Sequence, residues 1–252
     1  ALSNNNADII TTADNIVRVG ESINSLYGYQ YWGVNAANGN PVYYKADGSL
    51  IQGVVGQNRY TVFNQSNPND LSQAATLGAA DKVVLGSSLP TYFGAAGLRF
   101  RYENFDFGTT VRFSGGNKIF NSTRREMMNL NFTNNSEEIL GRWQSASNPG
   151  DGWTPKLVFG DNTFSNLTSH ASSRFVEDGS FVKFDIMSLG YTFPNNIIES
   201  VGIKNLRIYV QAQNAFIITK YKGLDPEMET RGVDLNATPR QRVLTMGFNV
   251  SL

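Results

Sequence analysis

"GLRFRYENFDFGTTVRF", residues 97–113, holds two runs joined at Glu103-Asn104. In the first, Leu98, Phe100 and Tyr102 alternate with Arg99 and Arg101. In the second, Phe105, Phe107, Thr109, Val111 and Phe113 alternate with Asp106, Gly108, Thr110 and Arg112. Alternation with period two marks a strand with two unlike faces. Two environments accept such a strand. A soluble sandwich turns the aromatic face into its core. A membrane barrel turns aromatics toward lipid and charges toward a wet lumen.

Four further segments alternate over the length of a tilted membrane strand, about 9 to 11 residues. They lie near 17–32, 180–193, 205–216 and 242–252. With 92–102 and 105–114 they make six expected strands, and residues 1–3 read as the end of a seventh. Along 205–216, Leu206, Ile208, Val210 and Ala212 oppose Arg207, Tyr209, Gln211 and Gln213. Along 180–193, Phe184 and Ile186 share one parity, while Leu189, Tyr191 and Phe193 have the other. A one-residue bulge near Met187-Ser188 reconciles them. In 17–32, Glu21 falls on the parity of Val17, Val19 and Ile23.

The connections alternate in length. Glu103-Asn104 and 194–204 are short; 33–91, 115–179 and 217–241 are long. Loops in compact domains have a median near 4 to 6 residues, whereas bacterial barrels pair short periplasmic turns with long extracellular loops. The expected fold is all-β: a transmembrane antiparallel barrel segment of six to seven strands with long extracellular loops. Single-chain bacterial barrels have at least about eight strands, and an open sheet edge is not tolerated in hydrocarbon. The remaining strands are therefore expected from another polypeptide segment, and the start at Ala1, without methionine or a leader-like stretch, reads as a cut.

Composition excludes several chemistries. The chain has 252 residues, no net formal charge, no cysteine and one histidine. No overall basic character points to nucleic acid. Disulfides, thiolate chemistry and His-pair metal sites are absent. No apolar run approaches the roughly 20 residues of a membrane helix. His170 sits in a polar stretch and reads as solvated. Asp225, Glu227, Glu229 and Asp234 lie close together without EF-hand spacing and read as a solvated acidic loop. No catalytic residue, metal ligand or cofactor is expected.

Two sets of residues are candidates for binding. Arg99, Arg101, Arg112, Lys183, Asp185, Arg207, Gln211 and Gln213 are expected to face the lumen, setting its polarity and holding whatever fills it. Tyr43, Tyr44, Trp143, Trp153 and Tyr221 lie in the long loops and are candidate contacts for substrate or partner. The alternative is that they anchor their own loops. A surface helix is expected within 123–143, covering Met127, Leu130, Ile139 and Leu140.

The stretches "VGESINSLYGYQYWGV", "LGSSLPTYFGAAGLRFRYENFDFGTTVRFSGGNKIFN", "RFVEDGSFVKFDIMSLGYTFP", "LRIYVQAQNAFIITKYKGLDPE" and "PRQRVLTMGFNVSL" occur in that order. The series resembles the C-terminal barrel of SusC/RagA-type TonB-dependent transporters. The resemblance implies a 22-stranded barrel occluded by an N-terminal plug and capped by a SusD-like surface lipoprotein. It implies import of glycan oligomers or peptides across the outer membrane of a Gram-negative bacterium, without enzymatic turnover. The whole chain 1–252 is then one piece of the barrel. The plug, the earlier strands and the segment engaging the TonB complex lie elsewhere. Two readings stand beside it: a non-transport outer-membrane barrel such as an adhesin, and a soluble all-β binding module.

Overall fold

The structure, a computed structural model, describes residues 9–10, 14–129, 134–161, 171–227 and 231–252. His170, Leu130 and Glu229 lie outside them. The chain forms two compact units. One comprises Pro90–Gly116, Gly179–Pro226 and Thr238–Leu252; the other comprises Ala1–Leu89, Asn117–Asp178 and Glu227–Ala237.

The first unit is a wall of five antiparallel strands: β1 (Tyr92–Tyr102), β2 (Phe105–Gly115), β3 (Phe181–Thr192), β4 (Asn205–Thr219) and β5 (Val243–Ser251). They pair in that order. Register fixes the faces, because residues directly opposite in a ladder share a side. Phe107 faces Phe100 and Leu189; Val210 faces Leu189 and Met246; Leu244 faces Ala212. This apolar face is bare. Phe100 is 61% exposed, Leu244 77% and Met246 79%. A sandwich core would have covered them, and an apolar sheet face of this extent is foreign to water.

The short connections, Glu103-Asn104 and 193–204, lie at one end of the wall. The long ones, after β2 and after β4, leave from the other, as does the chain entering β1. This is the alternation expected of a barrel.

Three expectations change. The wall has five strands among the described residues, because 17–32 is not one crossing strand. Gly20 (φ 91) and Asn24 (φ 56) turn the backbone, leaving short strands at Asn15–Val17, Ser25–Tyr29 and Tyr31–Val34. These bury most of both faces, which removes any lipid side. The bulge falls at Asp185, two residues before the expected place: Thr110 and Val111 are adjacent on β2, yet face Ile186 and Phe184. Ile186 thus shares the polar face with Thr110 and Gln213. Among the described residues of 123–143 the helix is a single turn, Ser122–Glu126, with a 3-10 turn at Glu137–Gly141. Met127 and Leu140 are exposed, at 42% and 69%, while Ile139 packs as expected against the core that holds Met128.

The long connections are not structureless. Residues 31–75 form a five-strand meander, Tyr31–Val34, Pro41–Tyr44, Leu50–Val54, Arg59–Val62 and Ala74–Ala75. Lys118–Asn121, from the second long connection, pairs with Val176–Asp178 and, in parallel, with Val233–Asp234 from the third. Ala171–Ser172 pairs in parallel with Ser25–Tyr29. One core, Leu26, Phe120, Met128, Ala171, Phe175 and Val233, draws on the second and third connections and on Ser25–Tyr29, with Leu85 of the first connection packed against it. A second gathers Tyr29, Tyr31, Val34, Tyr43 and Ile51, with Trp143 packed against it. The connections therefore form one unit with its own core.

Candidate functional site

Two surfaces collect the candidate residues: the polar face of the wall and the loop unit.

On the wall, the register puts Arg99, Arg101, Asp106 and Arg112 on one side with Lys183, Arg207, Gln211 and Gln213. Asp185 lies at the bulge, outside both ladders, and its carboxylate accepts from Arg112 on the same side. These are the residues expected in the lumen, and one face carries them all.

Two forked ion pairs cross this face. Arg207 Nε donates to Asp106 Oδ1 at 2.8 Å, and Arg207 Nη2 to Oδ2 at 2.6 Å. The pair spans β3, because Arg207 lies opposite Thr192 and Asp106 opposite Gly190. A Cβ at Gly190 would sit 2.3 Å from Arg207 Nη2 and 2.6 Å from Asp106 Oδ1. Glycine is what lets the fork pass. Arg207 also stacks over the Tyr209 ring, 5.1 Å from its centroid. In the second pair, Arg112 donates through Nε and Nη2 to Asp185, the latter at 3.1 Å. Lys183 Nζ lies 3.9 Å from Asp185 Oδ1. Paired, planar contacts of this kind fix geometry as well as charge.

The loop residues divide. Tyr43 is buried at 1% exposure, and burial holds its hydroxyl well above the ordinary tyrosine value. Its ring meets Tyr31 edge-on at 5.3 Å. Tyr221 is buried at 6% exposure and its ring covers Gly223. Trp143 donates from Nε1 to Ala36 O at 2.8 Å and lies against Gly39. Tyr43 and Tyr221 pack within their own loops, and Trp143 ties the second long connection to the first. Tyr44 is half-buried. Trp153 is 38% exposed, packed edge-on to Tyr31 at 4.9 Å, while Tyr31 Oη donates to Trp153 O at 2.9 Å. Among the five, Trp153 presents the most open ring.

Sequence reasoning missed a buried arginine network. Arg124 donates to Glu138 (2.6 Å from Nη2) and Glu177 (3.2 Å from Nη1). Burial opposes its charge, but these partners outweigh burial and raise its guanidinium above the ordinary value. Arg174 is 4% exposed and lies over Phe175 at 4.8 Å and Tyr31 at 5.8 Å; burial pulls its guanidinium down. Nothing in the local pattern around either arginine distinguishes it from a solvated one.

In the acidic stretch, Asp234 Oδ1 accepts from the Thr123 hydroxyl at 3.1 Å and from the Asn236 amide at 2.8 Å. Among the described residues no group of three His, Cys, Asp or Glu is placed to hold a metal ion. No described helix is long and apolar enough to cross a membrane, a statement that leaves strands aside.

No protein-family profile matches the chain. It is 28% identical over 251 residues to the TonB-dependent receptor P3 of Formosa agariphila, covering 93% of this chain and 23% of that protein. It is 27% identical over 247 residues to the TonB-dependent receptor SusC of Bacteroides thetaiotaomicron, covering 92% and 20%. Among solved structures, it superposes on the RagAB peptide importer in its open-open state with a TM-score of 0.71 at 20% identity, covering 97% of this chain and 24% of that one. The RagAB peptide transporter superposes with a TM-score of 0.70 at 20% identity. The chain spans about a quarter of the length of the relatives it matches. The resemblance to SusC/RagA-type TonB-dependent receptors, read from five short stretches, holds over nearly the whole chain. Its wall shares the fold of a stretch of those solved structures, and the relatives it matches are named as TonB-dependent receptors.

Proposed function

We propose that residues 1–252 are the C-terminal part of the barrel of a TonB-dependent importer, with plug and remaining strands supplied by other parts of a longer polypeptide. The apolar face of β1–β5 meets outer-membrane lipid and the polar face lines the lumen. The long connections form the extracellular unit. The imported nutrient is bulky, a glycan oligomer or a peptide, and is enclosed between this unit and a SusD-like surface lipoprotein. Energy comes through the TonB complex.

The observation that carries the reading is the folding of the long connections into one unit with a shared core. A pore for small solutes has no use for so much built surface. A transporter that holds a large ligand or docks a second protein needs broad, shaped area with exposed anchors. Trp153, Phe159 and Leu140 supply such anchors at 38%, 67% and 69% exposure.

The test is co-purification of the lipoprotein with full-length protein carrying Trp153→Ala, Phe159→Ala and Leu140→Ala together. These exposed side chains are removable without emptying the core, unlike Met128 or Trp143. Reduced lipoprotein recovery or reduced nutrient uptake, with normal barrel assembly, is the expected result. Undiminished recovery and uptake would leave this surface without the role assigned to it.

A further inference from the structure

The first long connection carries a cavity of about 450 Å³ against its meander. The size falls within the range of small-ligand pockets, roughly 300 to 1,000 Å³. Its floor is apolar and includes Leu50 and Phe63; the Phe63 ring packs against Trp32 at 5.5 Å. Its rim is polar and comes from one stretch of chain: Asn64, Gln65, Ser66, Asp70 and Gln73.

That stretch is tied down. Asn35 and Asn38 both donate to Pro68 O, at 2.7 and 3.1 Å. Both also donate to Gln52 Oε1, as does Asn40. Asn35, Asn40 and Gln52 are buried. This carboxamide hub fixes the middle of the rim to the sheet, so the rim is ordered before any ligand arrives, which lowers the cost of binding.

The rim's side chains keep bonding capacity. Among the described residues Asn64 Nδ2, the Gln65 and Gln73 carboxamides and the Ser66 hydroxyl have no partner. The flanking main chain is spent, because the Val62 amide donates to Gln73 O and the Phe63 amide to Leu50 O, both at 2.9 Å. An extended peptide therefore finds no free strand edge to join there. Asp70 is the one ionisable group among the described lining residues, and its bonds from Ser72 hold its carboxyl below the ordinary value. Arg59 donates to Leu71 O at 3.3 Å but does not line the cavity.

We infer that this cavity binds one ring of a neutral glycan, with hydroxyls on the rim and the C–H face on Leu50 and Phe63. The assignment rests on the proposed reading of the long connections as the surface that meets the nutrient, and it selects glycan over peptide. Carboxamides, a hydroxyl and a carboxylate together supply donors and acceptors for neighbouring sugar hydroxyls. A ligand bearing carboxylate or sulfate would meet Asp70 with no lining cation to pair it, and like charges set together are costly.

Isothermal titration calorimetry of the full-length protein in detergent tests this. The probes are linear hexasaccharides of glucose, mannose, galactose and xylose, an oligogalacturonate of equal length and a lysine-containing hexapeptide. At least one neutral hexasaccharide is expected to bind, and Asp70→Asn and Gln73→Ala should each weaken it about tenfold. Both side chains are exposed, so neither change empties a core. Failure of every neutral sugar to bind, sugar binding unchanged in both variants, or oligogalacturonate or peptide binding that the variants abolish would overturn the site. Uptake by cells that depend on the protein separates the two claims. Import of peptide but not glycan would keep the importer and overturn the sugar site. Import of neither, with the protein assembled, would overturn the importer reading, while calorimetry still decides the site.

Discussion

Arg207 reaches Asp106 across the whole width of β3, and it does so over Gly190. The fork and the glycine are one feature, since any side chain at 190 would occupy the space the fork uses. Gly190→Ala is expected to displace the pair and lower barrel stability by about 1.5 to 3 kcal/mol, the scale of a charge-assisted hydrogen bond. Asp106→Asn should have a similar effect, and combining the two should add little. Loss of the heat-resistant band in detergent gels as temperature rises measures this. Additive effects would show that the glycine serves something other than the pair.

The inside–outside assignment predicts an asymmetric response to arginine. Val111→Arg and Val210→Arg place a charge on the lipid face, costing about 2 to 4 kcal/mol at mid-membrane. Thr110→Arg and Gln211→Arg occupy adjacent positions on the polar face and should assemble nearly normally. Outer-membrane yield of folded protein is the readout, and equal loss from both sets would contradict the assignment.

The bulge at Asp185 keeps two halves of β3 in phase with their neighbours. Val182 and Phe184 share the apolar face with Phe113 and Val111; Leu189 shares it with Phe107. Deleting Asp185 makes Phe184 and Ile186 neighbours, opposite the neighbours Val111 and Thr110, so the ladder becomes regular and every side chain keeps its face. Assembly should persist, with Arg112 losing its partner. Inserting one residue beside Asp185 instead should throw one half onto the wrong face and block assembly. Asp185→Asn keeps the count and should assemble, with the Arg112 contact weakened. Failure of the deletion together with normal assembly of the insertion would contradict this register.

The buried tyrosines of the loop unit predict loss of stability in alkali. Burial raises the hydroxyls of Tyr31 and Tyr43 above the ordinary value near pH 10. The folded state then holds these protons more tightly than the unfolded state. Their contribution is complete below about pH 10 and is lost as pH rises, because the unfolded chain ionises first. Tyr43→Phe should flatten the alkaline fall in melting temperature. Tyr31→Phe should do the same while costing about 1 kcal/mol at neutral pH for the lost bond to Trp153 O. Tyrosinate absorbance followed against pH checks both, and an unchanged alkaline slope in both variants would contradict the linkage.

The wall was legible in the sequence wherever a strand has one apolar and one polar face. That arrangement demands strict alternation residue by residue, and β1, β2, β4 and β5 obey it without reference to any distant segment. Charge parity likewise put Arg99, Arg112, Arg207 and Gln211 on one face before any register was known. The bulge was legible only as an interval. Alternation requires a slip between Phe184 and Leu189, but Ile186, an aliphatic residue on the polar face, made the slip look two residues later than it is. Tertiary structure alone decided the loop unit. Its strands are short, buried on both sides, and paired with partners as remote as Lys118–Asn121 and Val233–Asp234, so no local period records them. The role of Tyr43 as anchor and Trp153 as open ring was decided in the same way. Both are aromatic residues in polar surroundings, and only the packing of 31–75 against 143–154 buries one and leaves the other exposed.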